Sequence, residues 1–194
     1  MSKGLIGVLF VGILFVFGGF WACNKRNSFI SMREAGKAQW QQVESQYQRR
    51  ADLVPNIVAT VKGEANFEKS TLETVISARA KATQVTISPE NLDDNSIAKY
   101  KQAQGELSSA LSRLLVVSEN YPNLKANQAF SDLRVTLEGC ENRISEERRK
   151  YNESAKNFNT AIQLFPGSFL AGGMAPLPYF EAEAGAEKAP KVEF

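Results

Sequence analysis

One apolar stripe runs through the C-terminal half of the chain with helical spacing for about thirty residues. Its members are Ala126, Phe130, Leu133, Leu137, Cys140, Ile144, Glu147, Tyr151, Ser154 and Phe158. Steps of three and four residues place side chains on one face of a helix, whereas a strand alternates with a period of two. A stripe that keeps a period near 3.5 over such a length predicts left-handed, nearly parallel packing against other helices.

Three further stretches carry the same spacing, so the sequence predicts four long helices. We place them at about residues 29–51, 55–83, 93–119 and 123–165, with residues 24–28 as a polar collar before the first. Long amphipathic helices joined by short turns favour an up-and-down antiparallel four-helix bundle with coiled-coil-like packing. The predicted fold class is therefore all-α, with 24–165 as the bundle. Residues 166–194 are predicted to form an extended C-terminal arm rich in glycine, proline and aromatic residues.

Residues 4–23, GLIGVLFVGILFVFGGFWAC, form an uncharged apolar run behind a tail of residues 1–3. At about 1.5 Å of rise per residue, this run is long enough to cross the roughly 30 Å hydrocarbon core of a bilayer. A cleaved signal peptide has a shorter apolar stretch, so we predict a retained transmembrane signal-anchor.

The charges that flank the apolar run indicate its orientation. Lys3 precedes the run, whereas Lys25 and Arg26 follow it. The positive-inside rule then places the bundle on the cytoplasmic side of the membrane. The alternative is a lipoprotein processed at Cys23, which would place the bundle outside the cytoplasmic membrane.

The corner between the first two helices is predicted within QRRADLVPNIVATVKG, residues 48–63. Proline lacks the N–H that an interior helical residue donates, and it moves the preceding residue away from α geometry. Pro55 therefore suits the first turn of a new helix, with Asp52 as an acceptor for its unpaired amides. The residues expected at this distal corner are Arg49, Arg50, Asp52, Pro55 and Asn56.

Counting from the predicted corners places an ion pair inside the bundle. Arg79 lies twenty-four residues after Pro55, and Glu147 lies twenty-four residues after Asn123. Because both occupy stripe positions, we expect them to meet in one layer near the membrane end. A partly buried pair of this kind fixes the register of helices more than it stabilises them.

Three surfaces have no evident cover in a single bundle, and together they predict a homo-oligomer. Glycines share one face of the apolar run, where small residues allow close helix packing in lipid, although glycine is common in membrane helices. The end of the fourth helix has an apolar side, and the arm carries aromatic residues. The expected contacts are Gly12, Gly19, Phe158, Ile162, Phe165, Phe169, Leu177, Tyr179 and Phe180. The competing account is a monomer whose arm folds back on its own bundle.

One basic cluster is predicted to lie near the membrane. It comprises Arg143, Arg148, Arg149, Lys150 and Lys156. Anionic headgroups attract such residues by about 1 kcal/mol per charge, and the alternative is a solvated helix face. Aromatic residues do not interleave with the cluster, and 23 basic residues nearly balance 21 acidic ones, so no nucleic acid is expected as a partner.

Catalytic chemistry is not predicted from the residues present. The chain has no histidine, which is the commonest general base and metal ligand. Cys140 falls on the core stripe, where a buried inert thiol is expected, and the sequence has no Gly-rich phosphate loop. We therefore expect a non-enzymatic protein with no cofactor and no metal.

Three segments closely resemble the LemA family of bacterial membrane proteins. They are QYQRRADLVPNIVATVKGEANFEKSTLETV, ENRISEERRKYNESAKNFNTAI, and FPGSFLAG with PYFEAEAGAEKAPKVEF. The resemblance covers nearly all of residues 40–194, whereas residues 24–36 depart from the family's usual YN-containing opening. It implies a location in the bacterial cytoplasmic membrane but no established biochemical activity. It also implies candidate partners, a TPM-domain protein or a membrane zinc protease, because genes for these often neighbour those of the family.

The function predicted from these observations is a membrane-anchored scaffold. Such a protein would contact membrane lipid, self-associate and dock partner proteins. The alternative is an accessory subunit of a membrane protease or of an envelope-stress system.

Overall fold

The computed structural model describes residues 3–64 and 67–181, and these residues fold as helices and connecting turns. The helices are α1 (Lys3–Lys62), α2 (Lys69–Gln84), α3 (Asp94–Ser118), α4 (Pro122–Ala126), α5 (Gln128–Gln163) and α6 (Gly167–Leu170), with a 3-10 turn at Pro89–Asn91. No strand occurs within the described residues. The predicted all-α fold class is confirmed.

Helix α1 continues without a break through Pro55, so the distal corner predicted there is wrong. The residues assigned to that corner, Arg49, Arg50, Asp52, Pro55 and Asn56, all lie within α1. Helix α1 ends instead at Lys62, and α2 begins at Lys69.

The interior proline is accommodated by a contact from α2. Pro55 cannot donate a hydrogen bond to the carbonyl four residues earlier, which belongs to Ala51. The Ala51 carbonyl oxygen accepts a bond from Arg79 Nε at 2.9 Å instead. Because Ala51 is buried, its carbonyl would otherwise lose its partner without access to water. A long-range contact thus replaces the helical hydrogen bond that Pro55 removes.

Four helices pack together in the half of the bundle that is distant from the N-terminus. Helix α1 lies antiparallel to α5, since Gln39 contacts Glu147 whereas Arg50 contacts Glu141. Helices α2 and α3 form a second antiparallel pair. Apolar side chains from these four helices form one core, which includes Val61, Val75, Leu107, Leu114 and Leu137.

The predicted fourth helix is divided into α4 and α5 at Asn127. The Asn127 side chain caps α5 by accepting a hydrogen bond of 3.2 Å from the Phe130 N–H. The apolar stripe of α5 is otherwise buried as its spacing predicts, at Phe130, Leu137, Cys140, Ile144, Tyr151 and Phe158.

The α2–α3 pair ends well before the N-terminal end of α1. The loop between these helices contacts Glu44, where the Ile87 N–H donates to the carboxylate at 3.4 Å. From Glu44 toward the N-terminus, α1 and α5 continue together, and α6 and residues 171–181 pack against them. The core in this part comprises Phe29, Ala155, Phe158, Ile162, Ala171 and Leu177. The C-terminal segment therefore packs on the α1–α5 pair beside the end of the α2–α3 pair, where Phe180 and Tyr100 share one apolar cluster.

Candidate functional site: the docked arm and the Arg50 layer

Two asparagines on α5 hold the backbone of residues 171–181, which we call the docked arm. Asn159 donates to the Leu177 carbonyl and accepts from the Leu177 N–H, both at 2.7 Å. Asn152 makes the same pair of bonds with the backbone of Phe180, at 2.8 and 2.7 Å. The two asparagines are seven residues apart and therefore face the same side of α5. They fix the arm in an extended conformation along the helix.

The arm's side chains fill gaps in the α1–α5 pair. Leu177 packs against Gly36 of α1, where an added Cβ would overlap the Leu177 Cδ1 atom. The Phe180 ring stacks on Trp40 and Tyr47, with centroid distances of 6.1 and 6.3 Å. A larger residue at position 36 would therefore require the end of the Leu177 side chain to move.

Tyr151 adds a third attachment for the arm. Its hydroxyl donates to the Pro178 carbonyl at 2.8 Å. Burial raises the pKa of Tyr151 well above its usual range, because the charged phenolate is disfavoured away from water. The hydroxyl thus remains a proton donor at every physiological pH.

The docked arm overturns part of the predicted oligomer surface. Leu177 and Phe180 are buried in their own chain, and the arm and α1 cover Phe158 and Ile162. These four predicted intersubunit contacts are wrong, since the extended segment finds its pocket on its own bundle. Tyr179, Phe165 and Phe169 remain exposed, as do Gly12 and Gly19, which have no atom from elsewhere in the chain within 4 Å of an added Cβ.

The basic residues of α5 lie far from the apolar N-terminal run. Tyr151, beside them, packs against Trp40 with ring centroids 5.4 Å apart. Trp40 follows Cys23 by seventeen residues, which corresponds to about 26 Å along α1. This distance exceeds the screening length of about 8–10 Å in physiological salt. Lys156, however, lines a groove with Met32 and Ala35, nearer the apolar run. The membrane-proximal position of the cluster stays a prediction.

The cluster's side chains are engaged within the protein. Arg148 lies over the Phe180 ring, with its Cζ 4.2 Å from the centroid, and donates to the Glu181 carbonyl at 3.2 Å. The remaining members lie on the surface of α5. Arg149 pairs with Glu146 and Glu153, and Lys150 pairs with Glu146 and Glu147. Arg143 and Lys156 are exposed. Two members of the cluster are thus ion-paired on the helix surface, and one, Arg148, holds the arm.

The predicted pair of Arg79 and Glu147 is also wrong. Arg79 contacts the carbonyl of Ala51, whereas Glu147 accepts from Gln39 at 2.6 Å and pairs with Lys150 at 2.9 Å. Ala51 and Gln39 are twelve residues apart on one continuous helix, so the two layers are separated by about 18 Å. The error follows from placing the first corner at Pro55.

The buried cation of the bundle is Arg50, whose side chain is 1% exposed. Its Nη1 donates to Glu141 Oε1 at 2.8 Å and to Ser108 Oγ. Its Nη2 donates to the backbone and side-chain oxygens of Gln104, at 3.0 and 2.8 Å. Gln104 in turn donates to the Ala82 carbonyl at 3.2 Å. One layer therefore links α1, α2, α3 and α5.

The sequence contained the signal for this layer. Arg50 falls between Tyr47 and Val54 at the three- and four-residue steps of the α1 stripe. A charged residue at a core position usually fixes register, because any slip would leave it buried and unpaired. Assigning Arg50 to an exposed corner hid this role.

An open groove of about 590 Å³ lies between α3 and α5, next to the Arg50 layer. Leu111, Leu115 and Leu137 contribute apolar surface, while Glu119 and Arg134 stand at one end. No group of three or more potential metal ligands occurs among residues 3–64 and 67–181. The groove therefore presents a mixed lining, in which a few apolar side chains lie among serines, Asn142 and charged residues.

The N-terminal part of α1 projects beyond the bundle. Its apolar side chains are exposed from Phe10 to Trp21, and the first buried residue of the bundle is Phe29. Within the parts of the chain that the structure describes, no helix combines the length and apolarity that crossing a membrane demands. The structure therefore does not support the transmembrane span predicted for residues 4–23.

These features define an all-α protein built on one long helix, with a partial four-helix bundle and a docked C-terminal arm. A sequence model of the LemA family matches residues 39–194. The chain belongs to the LemA family, as its sequence indicated.

The chain is also similar to magnetosome proteins, at about a quarter identity. The magnetosome protein MamQ of Magnetospirillum gryphiswaldense is 26% identical over 179 residues, an alignment that covers 82% of this chain and 66% of MamQ. Magnetosome protein MamQ 2 of Paramagnetospirillum magneticum is 25% identical over 174 residues, covering 80% of this chain and 64% of the relative. The chain thus spans just under two thirds of the length of these relatives.

Proposed function

We propose that this LemA-family protein is a non-enzymatic scaffold anchored in the bacterial cytoplasmic membrane by the apolar end of α1. The observation that carries the proposal is the exposure of this end. Its large apolar side chains are 48–79% exposed, namely Phe10, Val11, Ile13, Leu14, Phe15, Val16, Phe17, Phe20 and Trp21. A contiguous apolar surface of this size is a site of contact with membrane or protein. The absence of charge from residues 4–23 favours lipid.

The continuous α1 helix supports a scaffold role. Because α1 has no break between the apolar end and the core, the bundle is coupled rigidly to the anchor. The groove between α3 and α5 then offers a surface for a partner at a fixed position. The TPM-domain protein or membrane zinc protease implied by the family resemblance is a candidate occupant. Self-association through Gly12 and Gly19 is a further part of the proposal.

Flotation with lipid vesicles tests the anchor. Leu14→Lys with Phe15→Lys places two charges in the middle of the apolar run, where each costs about 2.5–3.5 kcal/mol on insertion. We expect this full-length variant to leave the vesicle fraction. Val116→Lys with Val135→Lys is the matched control, since these valines are 70% and 67% exposed on the bundle. Equal flotation of both variants would refute the anchor.

A further inference from the structure

We propose that the corner between α5 and α6, residues 164–169, is a second lipid contact, which inserts Phe165 and Phe169 among the headgroups of an anionic bilayer. This inference rests on the proposed anchoring of α1. It assigns a surface to lipid that is separate from the apolar run, and it makes the membrane attachment two-pointed.

The corner concentrates apolar exposure in six residues. Phe165 is 88% exposed, Phe169 is 84% exposed, and Leu164 is 62% exposed. On the distal bundle, by contrast, Val116 and Val135 are exposed singly on different helices. A cluster of large apolar side chains on an otherwise folded segment indicates a surface that is covered in the working protein.

The corner is firmly held, so its exposed rings are not the result of a loose chain end. The Ala171 N–H donates to the Gly167 carbonyl at 2.7 Å, and the Ser168 N–H donates to the Leu164 carbonyl at 3.1 Å. Gly167 is buried against Phe29 of α1, whose Cζ would lie 3.2 Å from an added Cβ. The backbone is therefore fixed to α1 while the two phenylalanine rings face outward.

The position along α1 matches the headgroup layer. The corner contacts Phe29, and Gly172 just after it lies against the guanidinium of Arg26. With the hydrocarbon boundary at Cys23, Arg26 and Phe29 lie about 4.5 and 9 Å beyond it along the helix. The polar layer on each side of a bilayer is about 5–8 Å thick. Arg26 thus lies within this layer and Phe29 at its outer edge, from which the exposed rings of the corner would reach into the headgroups, where apolar residues of interfacial elements insert.

The charge around the corner selects lipid over a protein partner. No acidic residue occurs between Phe10 and Arg33 or between Ser154 and Phe180. The exposed charges near the corner are basic and include Lys25 and Arg26. Aromatic and basic residues without acidic neighbours complement a bilayer that contains anionic headgroups.

Two contacts also restrict the bundle's orientation. A single inserted helix leaves the bundle free to rotate about the α1 axis. Insertion of the corner on one side of α1 removes that freedom, because rotation would withdraw Phe165 and Phe169 from the headgroups. The groove between α3 and α5 would then face a constant direction relative to the membrane.

An environment-sensitive fluorophore on the full-length chain tests the contact. In a background of Cys23→Ser and Cys140→Ala, Phe169→Cys is labelled with nitrobenzoxadiazole, and Val135→Cys is the matched control. The vesicles contain equal parts of phosphatidylcholine and phosphatidylglycerol with a spin label at the headgroup or in mid-chain. We expect a blue shift at position 169 and stronger quenching by the headgroup label, with neither effect at position 135.

The outcomes separate this inference from the anchoring proposal. Protein that floats with vesicles while the probe at position 169 stays unshifted and unquenched would overturn the second contact alone. Loss of flotation would overturn the anchor. A blue shift at position 169 that depends on protein concentration without vesicles would show that a second copy, not lipid, covers the corner.

Discussion

Arg79 Nε lies 2.9 Å from the carbonyl oxygen of Ala51, the acceptor in α1 that Pro55 leaves without a helical donor. We therefore expect Arg79→Met to lower the free energy of unfolding by about 1–3 kcal/mol, because a buried carbonyl loses its partner. Urea unfolding followed by circular dichroism in mild detergent measures this loss. Arg113→Met, on the exposed face of α3, is the control and should have little effect.

Pro55→Ala provides a direct test of the mechanism. An alanine at position 55 restores the amide that bonds to Ala51, so Arg79→Met should cost less in that background. The two changes should show a coupling energy of about 0.5–3 kcal/mol in a double-mutant cycle. Identical losses in the two backgrounds would mean that the Arg79 contact does not compensate for the proline.

Periodicity predicted the helices but not where the first one ends. The stripes of α1, α3 and α5 identify core residues such as Trp40, Leu107 and Tyr151. The position of the corner depends on whether Pro55 breaks the helix. In the structure it does not, and the carbonyl that Pro55 leaves without a donor is bonded by Arg79 from another helix. Once the corner was misplaced, the layer count that paired Arg79 with Glu147 failed as well.

The candidate site was predictable only in part. Arg50 could be located from its place in the α1 stripe, because the three- and four-residue steps include it. The arm's position could not be derived, since proline- and glycine-rich segments have no periodicity that shows their direction. The sequence feature most closely related to the arm's position is the seven-residue spacing of Asn152 and Asn159. Both asparagines bond to backbone groups of the arm, so the side chains of the arm do not reveal this contact.

The two asparagines should control different parts of the arm. We expect Asn159→Ala to speed amide hydrogen exchange mainly at Leu177, and Asn152→Ala to speed it mainly at Phe180. Each variant loses one donor and one acceptor, with a cost of about 1–3 kcal/mol. Mass spectrometry or NMR measures the exchange, with Asn157→Ala on the exposed face of α5 as the control. Unchanged protection at both amides would contradict the clamp.

Glu44 should make stability depend on pH. Burial raises the pKa of its carboxyl group above the usual 4.5, although the bond from the Ile87 N–H opposes this shift. The folded state therefore holds the proton more tightly than the unfolded state. The stabilisation that protonated Glu44 gives the folded state is fully present below pH 4.5, the pKa of the unfolded state. It is lost as the pH rises through the higher pKa of the folded state.

Glu44→Gln removes this titration. We expect the variant to match the original protein in denaturant midpoint near pH 4 and to exceed it modestly at pH 7, because the side chain is only half-buried. Glu138→Gln, on the exposed face of α5, should not change the pH dependence in this way. A variant that loses stability at pH 7 would show that ionised Glu44 is favourable.

The side of the membrane that holds the bundle can be tested at Gln84, the exposed last residue of α2. With Cys23→Ser and Cys140→Ala in place, Gln84→Cys should resist a membrane-impermeant thiol reagent in intact cells and react after permeabilisation. This follows from the basic residues after the apolar run, which favour the cytoplasmic side. Ser2→Cys, at the opposite end of the run, should react from outside in the same cells. Ready labelling of position 84 in intact cells would reverse the orientation and favour processing at Cys23 as a lipoprotein.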